Sequence, residues 1–199
     1  GEDIHARTAA EVYGVPLEAV TQQMRSACKA VNFGIVYGIS DFALAKNIGV
    51  TRAEARGFID RYFERYSGVR AYMDAAVQSA REKGYAETLM GRRRYLPEIN
   101  SGNFNVRSFG ERCAMNSPIQ GTAADIIKLA MIRVADALKA AGMRSRLILQ
   151  VHDELILEAP KEEAAQAQQL LKNEMENVMR LSVPLTVDVN VGENWRACK

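Results

Sequence analysis

The sequence predicts an α+β fold: a helical first part, residues 1–84, then a part, residues 85–199, in which packed helices accompany an antiparallel sheet. Three observations lead there. Up to Gly84, apolar residues recur at helical spacing between strong cap and stop signals. Arg146–Val151 and Leu155–Glu158 are apolar runs on either side of a three-residue polar tip, the pattern of a hairpin. Leu185-Thr-Val-Asp-Val-Asn-Val191 alternates apolar and polar residues in strict period two, as a half-buried strand does.

The elements follow in order. Asp3 to Tyr13 is a helix stopped by Gly14 and Pro16, and a longer one is expected from Leu17 to Tyr37, ended by Gly38. Ser40 starts a short helix that stops at Gly49. Thr51-Arg-Ala-Glu54 is a capping box, in which a threonine oxygen and a glutamate satisfy free N–H groups at the start of a helix ending near Tyr66. Ser67 to Lys83 is the next helix, stopped by Gly84. Two short runs flanking Gly91, between Tyr85 and Leu96, suggest a small hairpin. Helix is expected from Asn103 to Asn116, and Pro118 is expected to open a second one reaching Ala141. Pro160 to Arg180 reads as an amphipathic helix, followed by the alternating strand Leu185–Val191.

Composition narrows the class of protein. At 199 residues, 48% hydrophobic and 25% charged, the chain can bury a sizeable core. No apolar run approaches the roughly 20 residues that span a bilayer, and the first residues lack the pattern of a signal peptide. No membrane is therefore expected among the partners. Cys28, Cys113 and Cys198 are odd in number and far apart, which fits a reducing cytoplasm and not a disulfide framework. Net charge is only +2, but Arg92, Arg93 and Arg94 stand in a row, with Arg107 and Arg112 close behind. For nucleic-acid binding such a cluster matters more than the total.

The most informative stretch is Arg25-Ser-Ala-Cys-Lys29-Ala-Val-Asn-Phe33-Gly-Ile-Val-Tyr37-Gly38. Arg25, Lys29, Phe33 and Tyr37 are spaced by four, so they follow one slowly winding stripe of a helix. Two cations followed by two aromatics suit a ligand with an anionic end and a flat, stackable end. A nucleoside triphosphate has that shape, with phosphates at Arg25 and Lys29 and sugar and base at Phe33 and Tyr37. Gly34 and Gly38 weaken the helix and are expected to admit close approach of another backbone or a template strand. The structural alternative is that Phe33 and Tyr37 are core residues while the cations reach solvent.

The whole string resembles the R-x-x-x-K-x-x-x-F/Y-G-x-x-Y-G motif of family A DNA polymerases, carried on the helix of their fingers subdomain. A second motif agrees. His152-Asp153-Glu154 occupies the hairpin tip where turn geometry alone would favour Asn-Gly or Asp-Gly, and a carboxylate held on a strand end suits Mg²⁺, a hard cation. Taken alone, this is a solvated acidic turn. Val151-His-Asp-Glu154 nevertheless resembles the family's palm-hairpin motif, which implies that Asp153 binds the catalytic metals. Glu154 would then support it, and His152 would lie close to the primer terminus. Arg25 and Lys29 join Asp153 and Glu154 as the catalytic residues the resemblance implies.

Further stretches carry the same resemblance. Arg112-Cys-Ala-Met-Asn116-Ser-Pro-Ile-Gln120 resembles the family's segment that meets the primer–template minor groove, with Arg112, Asn116 and Gln120 as contacts. Gly91-Arg-Arg-Arg-Tyr-Leu-Pro97 resembles its basic turn, which adds Arg92 and Arg94 as DNA-binding residues; the alternative is a solvated basic turn. Gly192-Glu-Asn-Trp195 resembles the family's ending, and Asp125 is expected to be structural rather than a metal ligand. The resemblance implies that residues 1–84 are fingers, that residues 85–199 are the C-terminal part of the palm, and that the chain lies in the bacterial cytoplasm at the nucleoid. Its implied partners are dNTP, primer–template DNA and two Mg²⁺ ions, in an enzyme monomeric at full length.

One family element is missing from the string. The second metal-binding aspartate belongs to a D-Y-S-x-I-E type motif upstream of the segment where this chain begins, and no such string occurs here. The expectation is a fragment whose palm sheet lacks a strand and which copies DNA poorly or not at all by itself. Three other classes compete: a non-catalytic nucleic-acid-binding module that kept the fold, a metal-dependent phosphohydrolase built around Asp153, and an RNA polymerase of the kind that resembles this family. The phosphohydrolase gives no role to the Arg25–Tyr37 stripe, and the Asn32-Phe33-Gly34 and Val151–Glu154 strings favour DNA synthesis.

Overall fold

The structure, a computed structural model, describes residues 3–198. They form two compact units, Gly1–Ile119 and Gln120–Lys199. The division falls inside one long helix, whereas the change of sequence character at residue 84 marks a helix-to-strand turn.

In the first unit, local capping sets most boundaries. Helix α1 (Ile4–Tyr13) starts at Asp3, whose Oδ1 accepts from the backbone N–H groups of His5 and Ala6. It ends at Gly14 in the left-handed conformation. The next helix is shorter at its start than the sequence suggests. Leu17–Ala19 forms a 3-10 turn, Val20 is extended, and Thr21 takes the N-cap position, its hydroxyl accepting from the N–H of Met24 at 3.2 Å. Helix α2 therefore runs from Gln22 to Val36. Helix α3 (Asp41–Ile48), capped by Ser40 and Gly49, and α4 (Arg52–Arg65), opened by the Thr51–Glu54 box, lie where expected. So does α5 (Ser67–Lys83), which Gly84 ends.

The buried face of α2, with Val31 and Ile35, meets Leu44 and Ala45 of α3 and Ala55 and Tyr62 of α4 in one apolar cluster. Its Cys28 packs instead with Ala9 and Val12 of α1. Burial there pushes the Cys28 thiol up to about 11, as expected of a packing residue rather than a nucleophile. The strands β1 (Tyr85–Glu87) and β2 (Arg93–Tyr95) form the small antiparallel hairpin, with Glu87 opposite Arg93 and Tyr85 opposite Tyr95.

Helix α6 (Phe104–Ala140) corrects the expected break between Asn116 and Pro118: the helix is continuous, with Pro118 in its interior. A proline there removes one hydrogen bond at a penalty of roughly 3 kcal/mol. Packing on both flanks holds the helix through it. Cys113 and Ala114 sit in a core with Ala80, Ala86, Leu96 and Ile99, while Ala130, Val134 and Leu138 sit in that of the second unit.

In the second unit, β3 (Arg146–Val151) pairs antiparallel with β4 (Glu154–Glu158), with an irregular register between Leu147 and Leu149. A 3-10 turn, Lys161–Glu163, leads into helix α7 (Ala164–Glu176). The expected helix continued to Arg180. It stops earlier because Asn177 turns its amide back onto the Asn173 carbonyl and gives its own carbonyl to Arg133.

The expected strand Leu185–Val191 is not a strand in the structure. Its alternation survives as burial, with Leu185, Val187 and Val189 partly covered and Thr186, Asp188 and Asn190 exposed. Helix side chains meet its backbone where a ladder would. Glu176 accepts from the N–H of Val187 at 3.0 Å, and Gln168 donates to the Val189 carbonyl at 2.9 Å. Among the described residues the sheet ends at the two paired strands. No helix among them is long and apolar enough to cross a membrane.

Candidate nucleotide and nucleic-acid site

The stripe on α2 is the clearest feature of the first unit. Its opposite face carries the buried Cys28, Val31, Asn32 and Ile35, so the helix must turn Lys29, Phe33 and Tyr37 outward. Phe33 is 49% exposed and Tyr37 47%, and their rings stand nearly parallel, 6.4 Å between centroids and 13° apart. Two large aromatic faces left half in water argue against a packing role for them. Arg25 is less exposed than Lys29 and points across to α1, where its Nε donates to Asp3 Oδ2 at 2.7 Å. That guanidinium, ahead of the backbone N–H groups, holds the Asp3 carboxyl below its ordinary value.

Asn32 secures the position of the stripe from behind. Its buried amide reaches Thr8 Oγ1 at 3.2 Å and lies 3.0 Å from His5 Nδ1, while the His5 ring flanks Phe33 at 5.7 Å. Spacing along the chain marks Asp3 only as a helix start and Asn32 only within the Asn32-Phe33-Gly34 string, and it gives none of Asp3, His5 and Asn32 a part in holding the stripe. For His5 and Asn32 the available signal was polarity on otherwise apolar helix faces.

The two glycines do admit close neighbours, although these are side chains. A Cβ on Gly34 would lie 2.9 Å from Ile39 Cγ2. Gly38, at φ +70°, leads the chain out of α2, and a Cβ there would meet Met115 Cε at 2.8 Å and Arg112 Cγ at 3.1 Å. The stripe thus ends against the Arg112 segment of α6. Arg112, Asn116 and Gln120 follow one another at helical spacing along α6. Arg112 donates to Ser108 Oγ and Asn116 to the Arg112 carbonyl, while Gln120 is exposed.

The arginine row divides by strand alternation. Arg93 is occupied within its hairpin, with Nε 2.9 Å from Glu87 and its guanidinium 4.5 Å above the Tyr85 ring. Arg94, on the other face, donates to Ser117 Oγ at 3.3 Å, which sets it beside Asn116. Arg92 is exposed at the turn.

In the second unit the β3–β4 turn is tighter than a three-residue tip. Glu154 already belongs to β4 and pairs with Val151, leaving His152 and Asp153 as the loop. His152 is the one non-glycine residue with positive φ among those described, at 52°. A histidine there is strained relative to glycine, the kind of local conflict that gathers at functional positions. Gln150 Nε2 donates to the His152 carbonyl at 2.7 Å, and Trp195 Nε1 donates to Glu154 Oε2 at 3.2 Å. The tip therefore presents Asp153 to solvent from a braced turn. Its oxygen donors fit a hard divalent cation, but among the described residues no group of three or more His, Cys, Asp or Glu gathers. These residues fit part of a metal site.

The first unit thus offers an outward cation–aromatic stripe and the second a hairpin with an acidic tip. On comparison, residues 1–197 match DNA polymerase family A. The chain belongs to that family. It is 57% identical to DNA polymerase I of Bacillus subtilis over 197 residues, 99% of this chain and 22% of that protein. DNA polymerase I of Geobacillus stearothermophilus is also 57% identical, over 100% of this chain and 23% of its own length. Among solved structures, the POL domain of Pol1 from M. smegmatis, in complex with DNA primer-template and dNTP, superposes with a TM-score of 0.94 at 46% identity. That match covers 100% of this chain and 35% of the other. The chain thus spans less than a quarter of the length of these DNA polymerase I relatives.

Proposed function

We propose that this chain carries the nucleotide-handling helix and part of the catalytic site of a DNA-directed DNA polymerase, which transfers a nucleotidyl group from a dNTP to a primer 3′-OH. The observation that carries this reading is the half-exposed, stacked Phe33–Tyr37 pair in line with Arg25 and Lys29 on one helix face. Arg25 and Lys29 hold the triphosphate, and Phe33 and Tyr37 meet the sugar and the nascent base pair. Arg112, Asn116 and Gln120, with Arg92 and Arg94, lie along the duplex by contacts that read shape more than sequence. His152 adjoins the primer terminus.

Asp153, supported by Glu154, would hold Mg²⁺ together with a carboxylate that this chain does not contain. When bound, such ions acidify the primer hydroxyl and steady the departing pyrophosphate. In this reading residues 1–84 are fingers and 85–199 are the C-terminal part of the palm. The chain works as part of a longer, monomeric polymerase in the bacterial cytoplasm, at the nucleoid.

Primer extension with Mg²⁺ and four dNTPs tests the proposal. The 199-residue chain is compared with a longer polymerase that restores the upstream segment, and with Asp153→Ala in that polymerase. Extension by the longer chain alone, abolished by Asp153→Ala, is the expected result. DNA binding without extension by the longer chain would replace the proposal with a non-catalytic binding module.

A further inference from the structure

Asp3 and Arg25 are 22 residues apart and meet between the start of α1 and the first turns of α2. Each carboxylate oxygen of Asp3 has its own work. Oδ1 is fixed by the backbone N–H groups of His5 at 3.0 Å and Ala6 at 3.1 Å, and Oδ2 takes the Arg25 Nε at 2.7 Å. The cap therefore immobilises the carboxylate, and the carboxylate immobilises the guanidinium. The contact is through Nε, so the hydrogen bond to Asp3 leaves the terminal nitrogens of the fork as donors for a ligand.

From this geometry we infer that Asp3 is a positioning residue for triphosphate binding, which holds Arg25 in its ligand-binding rotamer before the nucleotide arrives. The inference rests on the proposed role of Arg25. A free arginine side chain loses considerable rotamer freedom when it grips a ligand, and an anchor at Nε removes part of that loss from the binding step. The opposing effect is repulsion between Asp3 and the phosphates. Phosphates held by the terminal nitrogens would lie farther from Asp3 than the 2.7 Å contact, and both members of the pair are partly in water. Screening weakens the longer repulsion more than the direct contact, so anchoring wins.

Serine tests this, because it caps a helix as well as aspartate but is too short and uncharged to hold Arg25. The measurement is single-nucleotide incorporation by the longer polymerase, with dNTP titrated. Asp3→Ser is expected to raise the KM for dNTP three- to tenfold, with kcat within twofold and Tm unchanged; Asp3→Thr serves as a second capping variant. In an Arg25→Ala background, Asp3→Ser is expected to change KM no further. An unchanged or lowered KM, or an equal rise in both backgrounds, would overturn the positioning role while leaving the nucleotide site standing. If Arg25→Ala itself leaves KM unchanged, the triphosphate assignment of Arg25 fails, and the positioning role with it.

Discussion

Gly38 is where the chain leaving α2 meets the Arg112 segment, and replacing it with alanine exposes two separable effects. The first is backbone strain. At φ +70° an L-residue is disfavoured by about 1–2 kcal/mol, partly offset by roughly 0.4–1 kcal/mol from a narrower unfolded ensemble. The second is space, since the new Cβ would sit 2.8 Å from Met115 Cε and 3.1 Å from Arg112 Cγ. Overpacking typically costs about 1–3 kcal/mol, and the flexible Met115 tip places this case near the lower end. Gly14 isolates the first effect, because it has φ +68° in the same unit and an added methyl group there would meet nothing within 4 Å. Urea denaturation should therefore show Gly14→Ala destabilised by about 1 kcal/mol and Gly38→Ala by about 2 kcal/mol. Under the proposed function, Gly38→Ala should also weaken primer–template binding in the longer polymerase by displacing Arg112. A Gly38→Ala protein no less stable than Gly14→Ala would refute the close packing of α2 on the Arg112 segment.

Other expectations follow from the same structure. Gly110→Ala should lower the urea midpoint despite alanine's better helix propensity, because its Cβ would come within 2.9 Å of the Ile99 backbone nitrogen. Gly57→Ala inside α4 meets only the flexible tip of Arg61 at 3.4 Å and should instead stabilise by roughly 0.5–1 kcal/mol. Glu163 is held at about 2 by the Ser145 hydroxyl first and then by backbone N–H groups of Arg144 and Ser145, against an ordinary value of 4.5. A depressed carboxyl stabilises fully above pH 4.5, and that contribution is lost as the pH falls towards 2. Glu163→Gln should accordingly flatten the acid limb of a Tm–pH profile, and a profile identical to that of the parent would count against the Ser145 contact. The family resemblance implies that phenylalanine at the position of Phe33, beside the sugar, goes with discrimination against nucleotides lacking a 3′-OH. Under the proposed function, Phe33→Tyr should therefore relax that discrimination in the longer polymerase, and unchanged dideoxynucleotide incorporation would oppose this role.

What the sequence determined by itself are the features that depend on neighbours within a few residues. Ser40 and Gly49, Thr51 with Glu54, and Gly84 set helix ends because cap bonds form between nearby groups. The β3–β4 hairpin was legible for the same reason, as was the four-residue spacing from Arg25 to Tyr37, although only the fold could show that Phe33 and Tyr37 stay half in water. Tertiary structure decided whatever depends on distant partners. Pro118 predicts a break locally, and α6 continues because each flank packs into a core assembled from other segments. Leu185–Val191 has the period of a strand, yet a ladder needs a neighbouring backbone, and here Gln168 and Glu176 of α7 bond to its polar groups instead. Asp3 looks like a helix cap and nothing more until α1 lies against α2 and its second oxygen meets Arg25. Spacing along a chain specifies which side chains share a face, whereas the partner each face meets is set by packing between segments far apart in sequence.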